Sequence, residues 1–424
     1  MKAPLIIAAT IILLICSILE GKAQGKGEII TTSALTEPPT GWRGPNRDGI
    51  YHEKNLLSSW PAGGPELVWR YDSLGSGFSS AAVTSDRIFT VGTIDSTSFV
   101  FSFNHNGSLL WRKPLGKDWM VSFPGIRSTP TIYDGYGYVI NGYGVLYCFD
   151  ANDGKIIWEK DLLTEYRGKN KNWGFADNLI IDGDRLYCTP AGEDQNVVAL
   201  NRKTGELIWQ SKGNGEGSSY CTPVLIERGG RKLFINQPGR AYIAIDAENG
   251  ELGWKYEKQE VSESSHRTPI HRDGYLLGLD DESTGCVMLK IADNGLSSEV
   301  VWRNADLYCV HSEGVLLGDR LYGPGLKNRI YCTDWKSGKT LFSQPFGNGI
   351  FVLISADNLI YSYDWQGNFS LLKPTETSID VVGSFKVRGG TKEHFAQPVI
   401  HDGKLYIRHD NSLFVYNLKD ESNL

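Results

Sequence analysis

From Leu67 to Leu418 the chain reads as short apolar runs of strand length, separated by Asp-Gly, Asn-Gly and other turn-forming sequences, with no sustained apolar period of 3.6. One run recurs. Cys148 to Trp158 carries an Asp at 150, a Gly at 154 and a Trp at 158. Ala199 to Trp209 repeats it through Asn201 and Gly205, and Ala244 to Trp254 through Asp246 and Gly250. Cys332 to Phe342 repeats it again through Asp334 and Gly338, with Phe in place of Trp. Each copy describes a tight hairpin: an Asp or Asn bonds its own backbone to open the turn, and a Gly accepts the positive φ that closes it. The aromatic residue then stands on the outgoing strand, where it can pack against a neighbouring unit.

Aromatics in this position fall at Trp69, Trp111, Trp158, Trp209, Trp254, Trp302, Phe342 and Phe385, spaced by 40 to 51 residues. A repeat of that pitch indicates a solenoid or propeller. Each interval holds about four short strands, which is one propeller blade. Blade 2 reads as Ser128–Tyr133, Gly137–Asn141, Val145–Asp150 and Lys155–Lys160. The hairpins of blades 5 and 7 are degenerate, around Asp293-Asn294-Gly295 and Pro374–Asp380. After Phe385 only three strands remain, Ala396–His401, Lys404–His409 and Leu413–Asn417, while an unmatched strand, Glu66–Tyr71 with Trp69, stands at the other end. The expected fold is therefore all-β, an eight-bladed propeller over residues 61–420, its ring closed by the first strand joining the last three. Such closure leaves no interior edge exposed.

Ahead of the propeller, Lys2 precedes an apolar run from Ala3 to Leu19 and small residues at Gly21 and Ala23. This is the pattern of a secretory signal peptide over residues 1–23, placing the mature chain in the periplasm or outside the cell. Cys16 opens the alternative of a lipoprotein, against which Ile15 stands where a small residue should precede a lipidated Cys. No later segment is long and apolar enough to span a bilayer. Residues 24–60 form an irregular extension whose landmark is Trp42-Arg43-Gly44-Pro45-Asn46-Arg47-Asp48-Gly49-Ile50-Tyr51. It is expected to pack on the side or one end of the propeller, anchored by Trp42.

Composition agrees with the all-β reading: aromatics make up 11% and there are 48 Gly. A formal net charge of −6 gives no basic surface for nucleic acid. Cys148, Cys188, Cys221, Cys286, Cys309 and Cys332 are scattered along strand-like runs with no CxxC pair, so buried thiols are expected, although an even count in an exported chain permits disulfides. A monomer is expected.

The copies of Ala-x-Asp-x-x-x-Gly-x-x-x-Trp resemble the tryptophan-docking repeats of the PQQ-like β-propeller family, which includes quinoprotein dehydrogenases and the outer-membrane assembly lipoprotein BamB. The stretch Trp42–Gly49 resembles the leader of secreted bacterial members of unknown function. The resemblance covers Trp42 to Leu418 and implies the fold; the repeated residues hold blades together and imply no activity. Three departures argue against a PQQ-dependent dehydrogenase. There is no pair of adjacent cysteines, no calcium-binding and catalytic set that can be placed residue by residue, and no CxxCH haem site. No cofactor and no metal are expected.

Function is then sought in what does not repeat. In a propeller the a–b and c–d turns lie on one face, and the b–c loops and blade-to-blade connections on the other. Here the first set is monotonous, built on Asp134-Gly135, Asp182-Gly183, Asp273-Gly274 and Asp402-Gly403. The second carries Arg127, Trp173, Tyr220, His266, Arg267, His311, Glu313 and His394 where the chain enters the inner strands, positions that converge on the central axis. These eight are the candidate ligand-binding set, with His266, His311 and Glu313 as candidate catalytic groups. Arg pairs with carboxylates in bidentate fashion and aromatic faces stack on sugar rings, so the set suits an acidic or sugar-like ligand. Asp280-Asp281-Glu282 reads as a solvated loop. Two functions stay open. One is a binding or assembly module holding a small molecule, glycan or protein in the central funnel. The other is a polysaccharide-active enzyme. In a lyase, Arg127 or Arg267 would neutralise a uronate while His266 or His311 moved a proton. A hydrolase would need a second carboxylate about 5–10 Å from Glu313, and none is evident.

Overall fold

The structure, a computed structural model, describes residues 37–170, 172–217, 220–258, 267–279, 285–307, 313–347, 350–390 and 392–420. The expected signal peptide, His266, His311, Cys309 and Asp280-Asp281-Glu282 lie outside these residues.

Among the described residues the chain forms eight four-stranded antiparallel units, one of them extended to five strands. Blade 2, for instance, runs through Thr131–Tyr133, Tyr136–Ile140, Val145–Asp150 and Ile156–Asp161. The closing blade is the one the aromatic spacing implies. Leu67–Tyr71 pairs antiparallel with Ser412–Asn417, the third strand of a set begun by Val399–His401 and Lys404–His409. Among the described residues a single helical turn, Leu162–Glu165, interrupts the strands, N-capped by the Asp161 carboxylate. No helix among the described residues is long and apolar enough to cross a membrane.

The repeated hairpin works as its residue types suggest. Asp150 Oδ1 accepts from the amide of Asn152 at 2.7 Å, Asn201 Oδ1 from Lys203 at 2.9 Å and Asp246 Oδ1 from Glu248 at 2.9 Å. Gly154, Gly205, Gly250 and Gly338 follow at φ between 70° and 79°. These glycines have a second duty. An added Cβ would stand 2.6 Å from the Trp111 ring at Gly154, 2.9 Å from Trp158 at Gly205, 2.7 Å from Trp209 at Gly250 and 2.3 Å from Trp302 at Gly338. Trp111, Trp158, Trp209 and Trp302 therefore each lie against the turn glycine of the following blade, and Trp69 of the closing blade lies on Gly107 of the first; Trp254 does not meet Gly295, the turn glycine of the degenerate blade 5 hairpin. The indole Nε1–H groups of Trp69, Trp158 and Trp209 donate to carbonyls of those next blades, His105, Arg202 and Ala247, at 3.0 Å. Missing Cβ, positive φ and indole belong to one device, which is why they recur together in the sequence.

The extension does not lie along the side or an end; it enters the central channel. Thr40 bridges Ile132, on the inner strand of blade 2. Arg47 donates to the Leu179 carbonyl, where the inner strand of blade 3 begins. Ile50–Tyr51 adds in parallel to Phe351–Ala356, the inner strand of blade 7, and accounts for the five-stranded sheet. Contacts with both sides of the ring place this segment on the axis. Thr40 and Tyr51 both sit beside the a–b ends of their partner strands, so the segment is a hairpin inserted from the turn face, with Trp42 and Arg43 near its tip. Positive φ at Arg43, Gly44, Arg47 and Gly49 reverses it within the channel. It leaves past Glu53, whose carboxylate accepts from the amides of Asp402 and Gly403 at 2.8 and 3.0 Å. Trp60 then packs on Tyr361, Phe369 and Phe385 of blade 7.

Candidate functional site

Polar residues at the starts of the inner strands bind one blade to the next around the channel. Ser80 N–H donates to Thr129 Oγ1 at 3.0 Å, Thr129 N–H to Asn178 Oδ1 at 2.8 Å, and Asn178 Nδ2–H to Thr222 Oγ1 at 2.9 Å. On the other side Thr268 N–H donates to Glu313 Oε1 at 3.2 Å, and Gln397 Nε2–H to Glu313 Oε2 at 3.5 Å. Glu313 thus occupies a place in this inter-blade belt. Its third partner is Arg43, whose Nη1 lies 3.3 Å from Glu313 Oε2. Burial pushes the Glu313 carboxyl up while Arg43 and Arg267 pull it down. Its commitment to the belt and to Arg43 weighs against the acid–base role expected from its sequence position.

Above the belt, on the face of the b–c loops, is a cavity of about 260 Å³. Trp42 and Glu313 reach it from below, and Arg127, Trp173 and Tyr220 line it from three blade connections. Phe78, Phe123 and Phe395 form an aromatic wall, with ring centroids 5.8 to 6.3 Å apart. Opposite, Trp173 and Tyr220 pack at 5.2 Å, and the Tyr220 hydroxyl accepts from the Trp173 amide at 3.0 Å. Arg127 stands 6.0 Å over the Phe78 ring and donates to the carbonyls of Ser122, Phe123 and Gly125 at 2.7 to 3.2 Å. No carboxylate of a described residue lies within ion-pair distance of Arg127. Asp118, whose charge acts on it, is itself bonded to the Thr93 hydroxyl and to the amides of Trp119 and Gly142. Burial lowers the Arg127 guanidinium to about 10, still charged at neutral pH. Arg43 and Glu313 also border a second hollow of about 270 Å³ on the other side of the inserted hairpin, so their ion pair belongs to the partition between the two spaces.

Of the eight residues singled out in the sequence, Arg127, Trp173, Tyr220 and Glu313 share this cavity. Arg267 is buried nearby, its backbone carbonyl accepting from Cys221 Sγ at 2.8 Å. His394 is elsewhere: Phe395 turns into the cavity, while His394 turns away to Tyr363 and His409. Sequence reasoning missed Trp42, Arg43 and the three phenylalanines. Repetition could not flag the phenylalanines, which occupy different places in their connections. Trp42 and Arg43 belong to a motif expected on the side or one end of the propeller, whereas they stand in the channel. The five described cysteines are buried thiols outside any disulfide. Among the described residues no group of three His, Cys, Asp or Glu side chains is placed to hold a metal ion.

The family model described as outer membrane protein assembly factor BamB matches residues 96–361. The outer membrane protein assembly factor BamB of Moranella endobia is 25% identical over 260 residues, covering 55% of this chain and 63% of that protein. Quinoprotein alcohol dehydrogenase PedH of Pseudomonas putida is 29% identical over 181 residues, covering 38% of this chain and 28% of its own length. The matched region is less than two thirds of either relative. Among solved structures, BamB from Moraxella catarrhalis superposes with a TM-score of 0.62 at 14% identity, covering 84% of this chain and 100% of that one. A europium-containing methanol dehydrogenase gives a TM-score of 0.62 at 10% identity, covering 88% and 90%. Both structural likenesses concern the fold alone. Repeat, ring and family match agree, and the chain belongs to the PQQ-like β-propeller family whose model describes the assembly factor BamB.

Proposed function

We propose that this propeller is an exported binding module whose ligand occupies the loop-face cavity, and that the ligand is acidic with an apolar or ring-shaped body. The observation that carries this reading is the setting of Arg127: a guanidinium at an aromatic-walled cavity, met by carbonyls and by no carboxylate of a described residue. In such a setting a ligand carboxylate gains a charge-assisted hydrogen bond, and the rings supply stacking surface. Glu313, the one carboxylate of a described residue lining the cavity, is held by Arg43, which leaves the local balance in favour of an anion. Assembly with a partner protein, which the names of the BamB relatives state of those proteins, is the form of this reading in which the ligand is a segment of another chain. The lyase reading needs His266 or His311 beside Arg127.

Calorimetric titration with oligogalacturonate, with its methyl ester and with an acidic peptide tests the proposal. The expected result is saturable binding of an acidic probe, weakened at least about tenfold by esterification or by Arg127→Gln. Equal affinity for charged and esterified probes, or binding indifferent to both Arg127→Gln and Trp173→Ala at unchanged melting temperature, would overturn it.

A further inference from the structure

The loop face carries another hollow, separate from the central cavity and independent of the function proposed for it. It has a volume of about 440 Å³ and lies between blades 7 and 8, bounded by the connection carrying Lys386 to His394 and by the b–c turns at Gln366 and His409. Among the described residues three cations line it, Lys386, Arg388 and Lys392, and no carboxylate does. None of the three has an ion-pair partner among the described residues. In a chain of net charge −6, such a group makes a local positive potential that a bound anion would relieve. Exposed lysines alone would mean little. The floor adds a second observation.

His409 is 3% exposed, stacks on His394 with ring centroids 3.4 Å apart, and faces the Lys392 carbonyl through Nε2 at 2.7 Å. A carbonyl only accepts, so Nε2 carries the proton and Nδ1 is left as an acceptor. That Nδ1 makes no hydrogen bond among the described residues and faces Gly390, where an added Cβ would stand 2.8 Å from it; the Gly389 carbonyl is the other backbone group that acts on the ring. A buried acceptor without a donor at the base of a basic hollow calls for a ligand atom. We propose that this hollow is a phosphate-monoester site, in which Lys386, Arg388 and Lys392 supply the charge and His409 Nδ1 accepts from a phosphate hydroxyl. A sulfate ester has no ionisable hydroxyl to offer Nδ1 and should bind more weakly. Glu393 and Asp410 flank the site in sequence and neither lines it, although the Asp410 charge acts on His409.

The test uses the full chain at low ionic strength, titrated with inorganic phosphate, glucose 6-phosphate and sulfate. In parallel, phosphatidylcholine vesicles with and without phosphatidic acid are sedimented with the protein. Expected is saturable binding of a phosphate monoester, soluble or lipid-borne, with the His409 ring resonances shifted, sulfate weaker, and affinity reduced about tenfold or more in the K386Q/R388Q double variant. Both substituted side chains are exposed, and an unchanged melting temperature checks the fold. The control is K54Q/K336Q, which removes two charges from the turn face, where those side chains are 67% and 75% exposed. No binding of any phosphate probe, equal affinity in K386Q/R388Q, or an equal loss in the control would overturn the proposal.

Discussion

Arg43 and Glu313, 270 positions apart in sequence, meet on the propeller axis with Nη1 3.3 Å from Oε2 and side chains only 1% and 3% exposed. Arg43 is further held by the carbonyls of Asp48, Gly314 and Leu353 at 2.8 to 3.2 Å. The pair therefore locks the inserted hairpin to blades 6 and 7, and it joins a leader residue to the inter-blade belt.

Removing one partner of such a pair strands the other. Arg43→Ala is expected to cost about 3–5 kcal/mol in urea unfolding, with part of the loss recovered by adding Glu313→Gln. The pH dependence has a definite sign. Burial raises the Glu313 carboxyl and Arg43 opposes the rise, so without Arg43 the folded value climbs further. A carboxyl whose folded pKa exceeds its unfolded value favours the fold below the unfolded pKa and loses that contribution as pH rises through the folded one. The stability deficit of Arg43→Ala should therefore shrink between about pH 8 and about pH 5. A deficit that stays flat over that range would remove Glu313 from the explanation.

Two glycines of blade 6 separate backbone strain from docking. Gly318 has φ +57° with nothing within 4 Å of an added Cβ, whereas Gly338 has φ +70° and the Trp302 ring at 2.3 Å. Gly318→Ala should cost only the left-handed backbone penalty, about 1–2 kcal/mol. Gly338→Ala should cost that plus about 1–3 kcal/mol of steric displacement, with a changed near-ultraviolet signal from Trp302. Equal costs would mean that the indole yields freely and that docking is not what holds blade 5 to blade 6.

These glycines also mark how far the sequence could be read. Their spacing to Asp and Trp was visible because the same device serves blade after blade, so blade count, outer strands and closure by Leu67–Tyr71 were all legible. The site was half legible. Arg127, Trp173 and Tyr220 stood out because connections vary where turns do not. The place of Arg43 was hidden because its partners come from blades 6, 7 and 8, and no local pattern encodes a contact across 270 residues. His394 misled because two neighbours in one connection face different spaces, His394 the basic hollow and Phe395 the cavity.

A ladder of N-terminal truncations tests closure and plug separately. Removing residues up to Pro39 leaves Thr40 on Ile132 and everything after it, so stability should change by no more than about 0.5 kcal/mol. Removing residues up to Trp60 withdraws the hairpin, strands Glu313 and takes Tyr51, Leu56 and Trp60 from the core, yet leaves the ring shut. Unfolding should then occur at markedly lower urea but remain a single transition. Removing residues up to Asp72 takes away Leu67–Tyr71, the indole of Trp69 on Gly107 and its hydrogen bond to His105, opening the ring between the last blade and the first. With a strand edge exposed and the first and last blades no longer joined, cooperativity itself should fail, read as a lower and broader transition than the second truncation gives. If the second and third truncations unfold alike, the inserted hairpin, through its contacts with blades on both sides of the channel, holds the ring together, and the outer strand is secondary.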